Sequence, residues 1–238
     1  MASMSQHPFV ELRVDDWVDG WLRWEFMALQ EIHLPLDPTP IPAKVQALID
    51  EADRRADVFF NAGLGRRYPN YVPCDPKVVY TAMAFLKKEG HLQGNVFCEW
   101  GCGFAIAAGM AALMGMKSYG IEIENEIAER ARQLTTDLNI PVEIILEDYL
   151  PEGFEESEGV GGKDLIAPQA TTGGGWELAP MYGDLDPSEV DLFFVYPWPG
   201  QEEMMMDLFA AIASHGSIFL IYLGDGEIEA YMQDESGE

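Results

Sequence analysis

Basic residues are few: 14 Lys plus Arg stand against 41 Asp plus Glu, a formal charge of −27 over 238 residues. That balance repels a phosphate backbone instead of releasing its counterions, which argues against nucleic acid as a partner. A solvated acidic surface or the attraction of a cationic substrate accounts for it. Cysteine is also scarce. Cys74, Cys98 and Cys102 form an odd set without framework spacing, so a disulfide scaffold is excluded and reduced, structural thiols are expected. No apolar run approaches the roughly 20 residues that a membrane-spanning helix needs. The opening MASMSQHPFVELRVDD carries neither a basic region nor an apolar signal core, so a soluble, cytoplasmic protein is the expectation, with no membrane contact.

What is present is apolar enough, at 48% hydrophobic residues, for one α/β domain with a substantial core. Residues 15–32 place Trp17, Trp21, Phe26 and Leu29 near helical spacing and predict a helix. A proline-rich PLDPTPIP leads to a second helix over 43–61, before Gly63. A third is punctuated by Asp75 as cap, Pro76 in its first turn and Gly90 after its end. Residues 1–90 therefore read as a helical cap or accessory segment.

From residue 91 to 238 strands and helices alternate. Strands are expected near 95–100, 118–123, 142–146, 191–196 and 217–223, with helices near 104–115, 125–138 and 201–213. The strands VFC, LFFV and IFLI lack a polar face, which predicts a mostly parallel sheet covered on both sides, a doubly wound α/β fold. Residues 152–190, with EESEGVGGK and TTGGG, are too long for a plain connection and read as a flexible insert. The tail after Asp225 has room for one short strand at most.

The chemistry-bearing stretch is VFCEWGCGFAIAAG. A glycine turn between a strand and a helix lets backbone approach a ligand. The dinucleotide pattern G-x-G-x-x-G fails at its third place, where Ile106 stands. Glu99-Trp100-Gly101-Cys102-Gly103-Phe104-Ala105 instead resembles the E/D-x-G-x-G-x-G motif of class I S-adenosylmethionine-dependent methyltransferases. The resemblance spans roughly residues 71–223. It implies a Rossmann-like sheet in the order 3-2-1-4-5, shortened at its C-terminal end. It also implies S-adenosyl-L-methionine as cofactor, with Glu99, Gly101 and Gly103 at its methionine end, Glu122 at the ribose, and Ile123 and Asp148 at the adenine. Glu122 stands nineteen residues beyond Gly103, where a carboxylate can accept both ribose hydroxyls.

The loop VYPWPGQEE occupies the place where such enzymes hold the methyl acceptor, which nominates Tyr196, Pro197 and Trp198 as substrate-binding residues. Tyr71, in Tyr-Val-Pro before the third helix, joins them. Tyr196 is also the catalytic candidate, because a base is needed only if the acceptor must lose a proton; Asp148 and the histidines His7, His33, His91 and His215 are the others. No metal is implied. The partner expected is a small-molecule methyl acceptor, and the oligomeric state is left open. Alternatives are a catalytically silent methyltransferase-fold binding protein, an NAD-dependent oxidoreductase, and a tRNA methyltransferase, whose D-P-W-P loop Pro197-Trp198-Pro199 resembles.

Overall fold

The computed structural model describes residues 29–159, 162–166, 168 and 180–234. Along the chain run β1 (Leu29–Ile32), α1 (Ala43–Asn61), α2 (Pro76–Lys88), β2 (Val96–Trp100), α3 (Ile106–Leu113), β3 (Lys117–Ile121) and α4 (Asn125–Asp137). There follow β4 (Val142–Ile145), β5 (Glu155–Gly159), β6 (Gly162–Ile166), β7 (Leu192–Val195), α5 (Glu202–Ile212), β8 (Ile218–Gly224) and β9 (Glu227–Gln233). Seven strands form one sheet in the order β1-β9-β8-β7-β2-β3-β4, and β5 pairs only with β6. The five strands β4, β3, β2, β7 and β8 are mutually parallel. Their order is the expected doubly wound one.

Both faces of that central sheet are buried, which is why its strands show no polar alternation. Phe97, Phe194 and Leu220 face a layer made by α1, α2, α3 and α4, whereas Cys98, Phe193 and Phe219 face α5. Small residues let the helical layer close. A Cβ on Gly109 of α3 would come within 2.7 Å of Leu48 on α1, so glycine there permits the two helices to touch. The α2 punctuation is as expected: the Asp75 carboxylate accepts the Lys77 N–H at 2.9 Å, with Pro76 at the first helical position.

Two expectations are corrected. The predicted helix over 15–32 ends in a strand, since Leu29–Ile32 pairs antiparallel with β9; its first fourteen residues lie outside the described ones. A four-residue edge strand with its partner two hundred positions away leaves no local period to read. The sheet is also not shortened. β9 is seven residues long and forms an antiparallel hairpin with β8, and β1 extends the sheet beyond it. Residues 29–88, expected as an accessory helical segment, thus supply a strand of the same sheet and two helices of the same core.

The described residues of 152–190 are anchored. Phe154, Tyr182 and Leu185 are buried against the second face beside α5, and Leu165 of β6 packs on them. No α-helix occurs among the described residues between β4 and β7. The insert covers the sheet where a crossover helix would otherwise lie.

Candidate functional site

A cavity of about 570 Å³ opens at the carboxyl ends of β2, β3, β4 and β7. Open parallel sheets bind ligands there because strand ends and helix starts leave backbone groups free around a crevice. All ten candidate residues line it: Tyr71, Glu99, Gly101, Gly103, Glu122, Ile123, Asp148, Tyr196, Pro197 and Trp198.

The floor is the β2–α3 turn. Gly101 and Gly103 have φ of 65° and 56°, and Ala105 repeats the left-handed conformation at φ 58°. An L-residue there costs about 1 to 2 kcal/mol, and Ala105 bears that cost where the motif has its third glycine. Nothing lies within 4 Å of a Cβ built on Gly101, so the space over that residue is open to a ligand. On Gly103 the same atom would meet the Tyr71 ring at 2.8 Å.

Two buried carboxyls shape the turn. Glu99, 5% exposed, accepts the Ala108 N–H at 2.8 Å, so its side chain sits on the first-turn amides of α3. Burial is the main cause that pushes it up to about 8, opposed by that hydrogen bond and reinforced by the neighbouring Glu122. Glu122, 8% exposed, accepts the Gly103 N–H at 2.9 Å with one oxygen and the Glu124 N–H at 2.9 Å with the other. It ties the glycine turn to the start of α4. Burial again raises it above the ordinary carboxylate range, against those backbone donors.

Ile123 is 62% exposed and forms an apolar ledge on the cavity wall. Asp148 accepts the Leu150 N–H at 3.0 Å, the local turn bond expected of an aspartate after a strand, while it also lines the cavity. The insert holds this loop: the Tyr182 hydroxyl donates to the Tyr149 carbonyl at 2.6 Å and the Gly183 N–H to Glu147 at 3.0 Å.

The other rim is aromatic. Tyr71 stacks on Phe104 with centroids 4.6 Å apart, and its buried hydroxyl has no hydrogen-bond partner among the described residues. Its position over Gly103 places it against the turn as much as against the β7 loop. Tyr196 meets Tyr222 edge-on at 4.9 Å, and burial raises its phenol above the ordinary value. Pro197 is buried; Trp198 is 43% exposed at the mouth.

His33, His91 and His215 stay outside this cavity, and His7 lies outside the described residues. No group of three or more His, Cys, Asp or Glu suited to a metal occurs among the described residues. Sequence reasoning missed Cys74, Trp100, Phe104 and Gln201, all of which line the cavity. Cys74 had a signal, its place between Tyr-Val-Pro and the α2 cap. Gln201, buried where α5 begins, had none.

Among the described residues no helix is long and apolar enough to cross a membrane. No protein-family model and no curated protein matches the sequence. Solved structures similar to this chain include an RNA methyltransferase from Salinibacter ruber in complex with S-adenosyl-L-homocysteine, 16% identical over 69% of this chain and 95% of that one, with a TM-score of 0.45. Another is the magnesium protoporphyrin IX methyltransferase from Synechocystis PCC 6803 with bound S-adenosylmethionine, 16% identical over 83% of each chain, TM-score 0.42. A third is an S-adenosylmethionine-dependent methyltransferase from Clostridium acetobutylicum ATCC 824, 9% identical over 71% of this chain and 56% of that one, TM-score 0.41.

Proposed function

We propose that this chain is an S-adenosylmethionine-dependent methyltransferase acting on a small-molecule acceptor in a soluble, cytoplasmic setting. One observation carries the reading: the Glu99 carboxyl occupies the first-turn amides of α3. A dinucleotide needs those N–H groups and the positive helix end for its pyrophosphate. Here an acidic side chain has taken them, and four more carboxylates, Glu122, Glu124, Glu147 and Asp148, line the same cavity. That set of acidic side chains suits a cationic nucleoside and opposes a polyphosphate.

The residues fit such a cofactor. Glu99 would face the cofactor's ammonium, and the open space over Gly101 would admit its methionine portion. Glu122 keeps lone pairs for ribose hydroxyls after accepting one N–H on each oxygen. Ile123 and Asp148 offer an apolar ledge and an acceptor to the adenine. When bound, the cofactor supplies an activated methyl on a sulfonium. The protein's share is then alignment and exclusion of water, which is worth about 7 to 11 kcal/mol for a well-oriented pair. Tyr71, Tyr196, Pro197 and Trp198 form the acceptor side.

Isothermal titration with S-adenosylmethionine and S-adenosylhomocysteine tests the proposal: both bind, and NADH does not. Absence of binding by both overturns it. Transfer of labelled methyl to any component of a cell extract separates an enzyme from a silent binder.

A further inference from the structure

The loop from β7 to α5 closes one side of the cavity, and its backbone is largely committed to its own turn. The Gln201 N–H donates to the Trp198 carbonyl at 2.9 Å, the Gln201 carbonyl accepts the Met205 N–H at 3.0 Å, and the Gly200 N–H donates to Glu202 at 2.7 Å. Tyr196 turns its ring to Tyr222, and its hydroxyl stands 3.4 Å from the place that a Cβ on Gly224 would take. Apart from the exposed Trp198 indole, the side chain through which this loop can still read a ligand is Gln201, buried at the start of α5 and lining the cavity.

The orientation of that side chain is set from outside the loop. The Tyr149 hydroxyl donates to the Glu156 carboxylate of β5 at 3.2 Å. An ionised carboxylate can only accept, so the one hydroxyl proton is spent there. Towards its other neighbour, the Gln201 side-chain amide, the hydroxyl can act only as acceptor. The Gln201 NH2 therefore faces Tyr149 and the amide oxygen faces away. A flipped amide would set its oxygen against a hydroxyl oxygen with no proton to share. The amide oxygen has no hydrogen-bond partner among the described residues, yet it is not one of the side-chain atoms sealed from solvent without one. Since Gln201 lines the cavity, that oxygen opens onto it. Tyr149 is itself fixed, by the Tyr182 hydroxyl on its carbonyl at 2.6 Å and by packing against the core beside α5.

Resting on the methyltransferase reading, we propose that Gln201 selects the methyl acceptor: its side-chain carbonyl accepts a hydrogen bond from an N–H or O–H group of that molecule. Tyr149 and Glu156 are the positioning residues that hold the oxygen towards it. An acceptor whose polar atoms carry only lone pairs would desolvate this carbonyl and give it nothing in return. A hydrogen bond of this kind is worth about two- to tenfold in affinity.

Isosteric probe pairs test this on the full chain. S-adenosylhomocysteine is titrated first; its failure to bind removes the methyltransferase reading and is seen before any probe is added. To the saturated complex, indole is expected to bind about fivefold more tightly than benzofuran, and phenol about fivefold more tightly than fluorobenzene. Gln201→Leu, which keeps the bulk and removes the amide, should bring both ratios to about one. Tyr149→Phe keeps the ring and frees the amide to turn, so both ratios should fall to about two, with S-adenosylhomocysteine affinity within about threefold of the wild type. A merely structural role for Tyr149 would weaken all four probes alike and leave the ratios where they were, and this variant carries the test alone if Gln201→Leu does not fold. Equal binding within a pair by the wild type, binding of none of the probes, ratios that survive Gln201→Leu, or ratios untouched by Tyr149→Phe each overturns the inference.

Discussion

Replacing Glu99 by Gln is the sharpest perturbation, because the structure gives it two independent signatures. With a carboxyl titrating at about 8, Glu99 is about nine-tenths protonated at pH 7. A cofactor ammonium placed against it favours the ionised form, so binding at pH 7 is expected to release up to about 0.9 proton from this residue, falling to about 0.1 at pH 9. Calorimetry in buffers of different ionisation enthalpy counts that proton directly. Glu99→Gln should bind more weakly, by about 1.5 to 3 kcal/mol for the lost charged hydrogen bond, and its release should drop by the same 0.9. Any remainder reports Glu122, which is also raised.

The second signature needs no ligand. The folded-state value of about 8 exceeds the unfolded 4.5, so Glu99 contributes stability that is complete below about 4.5 and is lost as pH rises towards 8, at about 1.4 kcal/mol per pH unit. Gln lacks this slope while still accepting the Ala108 N–H. The variant should therefore gain on the wild type by on the order of 2 to 3 kcal/mol between pH 5.5 and 7.5 in urea denaturation. Equal proton release in both proteins, together with parallel stability profiles, would refute the placement of a neutral Glu99 under the turn.

Other substitutions separate turn geometry from ligand contact. Gly101→Ala adds a methyl in open space at φ 65°, so it should cost stability only about 1 to 2 kcal/mol yet abolish cofactor affinity in titration. Gly103→Ala should cost more, because its methyl also collides with the Tyr71 ring; the double variant with Tyr71→Ala should recover the excess in thermal unfolding. Glu122→Gln, whose donating NH2 replaces one accepting oxygen and so frees one backbone N–H, is expected to weaken the cofactor about tenfold or more with a small drop in melting temperature, whereas Glu122→Ala frees both N–H groups and should lower it further. Tyr182→Phe removes the hydroxyl that holds the Tyr149 carbonyl and should cost about 1 to 2 kcal/mol of stability, with faster amide exchange over residues 147–150 as the local readout.

How much of this was legible depended on whether a residue's role is set by its neighbours in sequence. The central strands were readable because burial on both faces leaves unbroken apolar runs such as LFFV, and the acid and glycines of the turn because positive φ demands particular residues at fixed spacing. Glu122 was found by distance along the chain, yet its second task, holding the Gly103 N–H, exists only once β2 and β3 lie side by side. β1 was lost for the same reason: LQEI pairs with β9, and nothing within four residues distinguishes an edge strand from a helix end. β9 did show alternation at Ile228 and Ala230, but Gln233 is buried out of phase with them, and the stretch read as a tail with room for one short strand at most.

The insert carries the same lesson into function. Its glycine-rich composition says only that it has no core of its own. Tyr182 and Leu185 nonetheless fill the second face of the sheet, and the Tyr182 hydroxyl reaches the loop that carries Asp148. Its packing and its hold on the loop that carries Asp148 are therefore one interaction, made by a tyrosine that no motif marks.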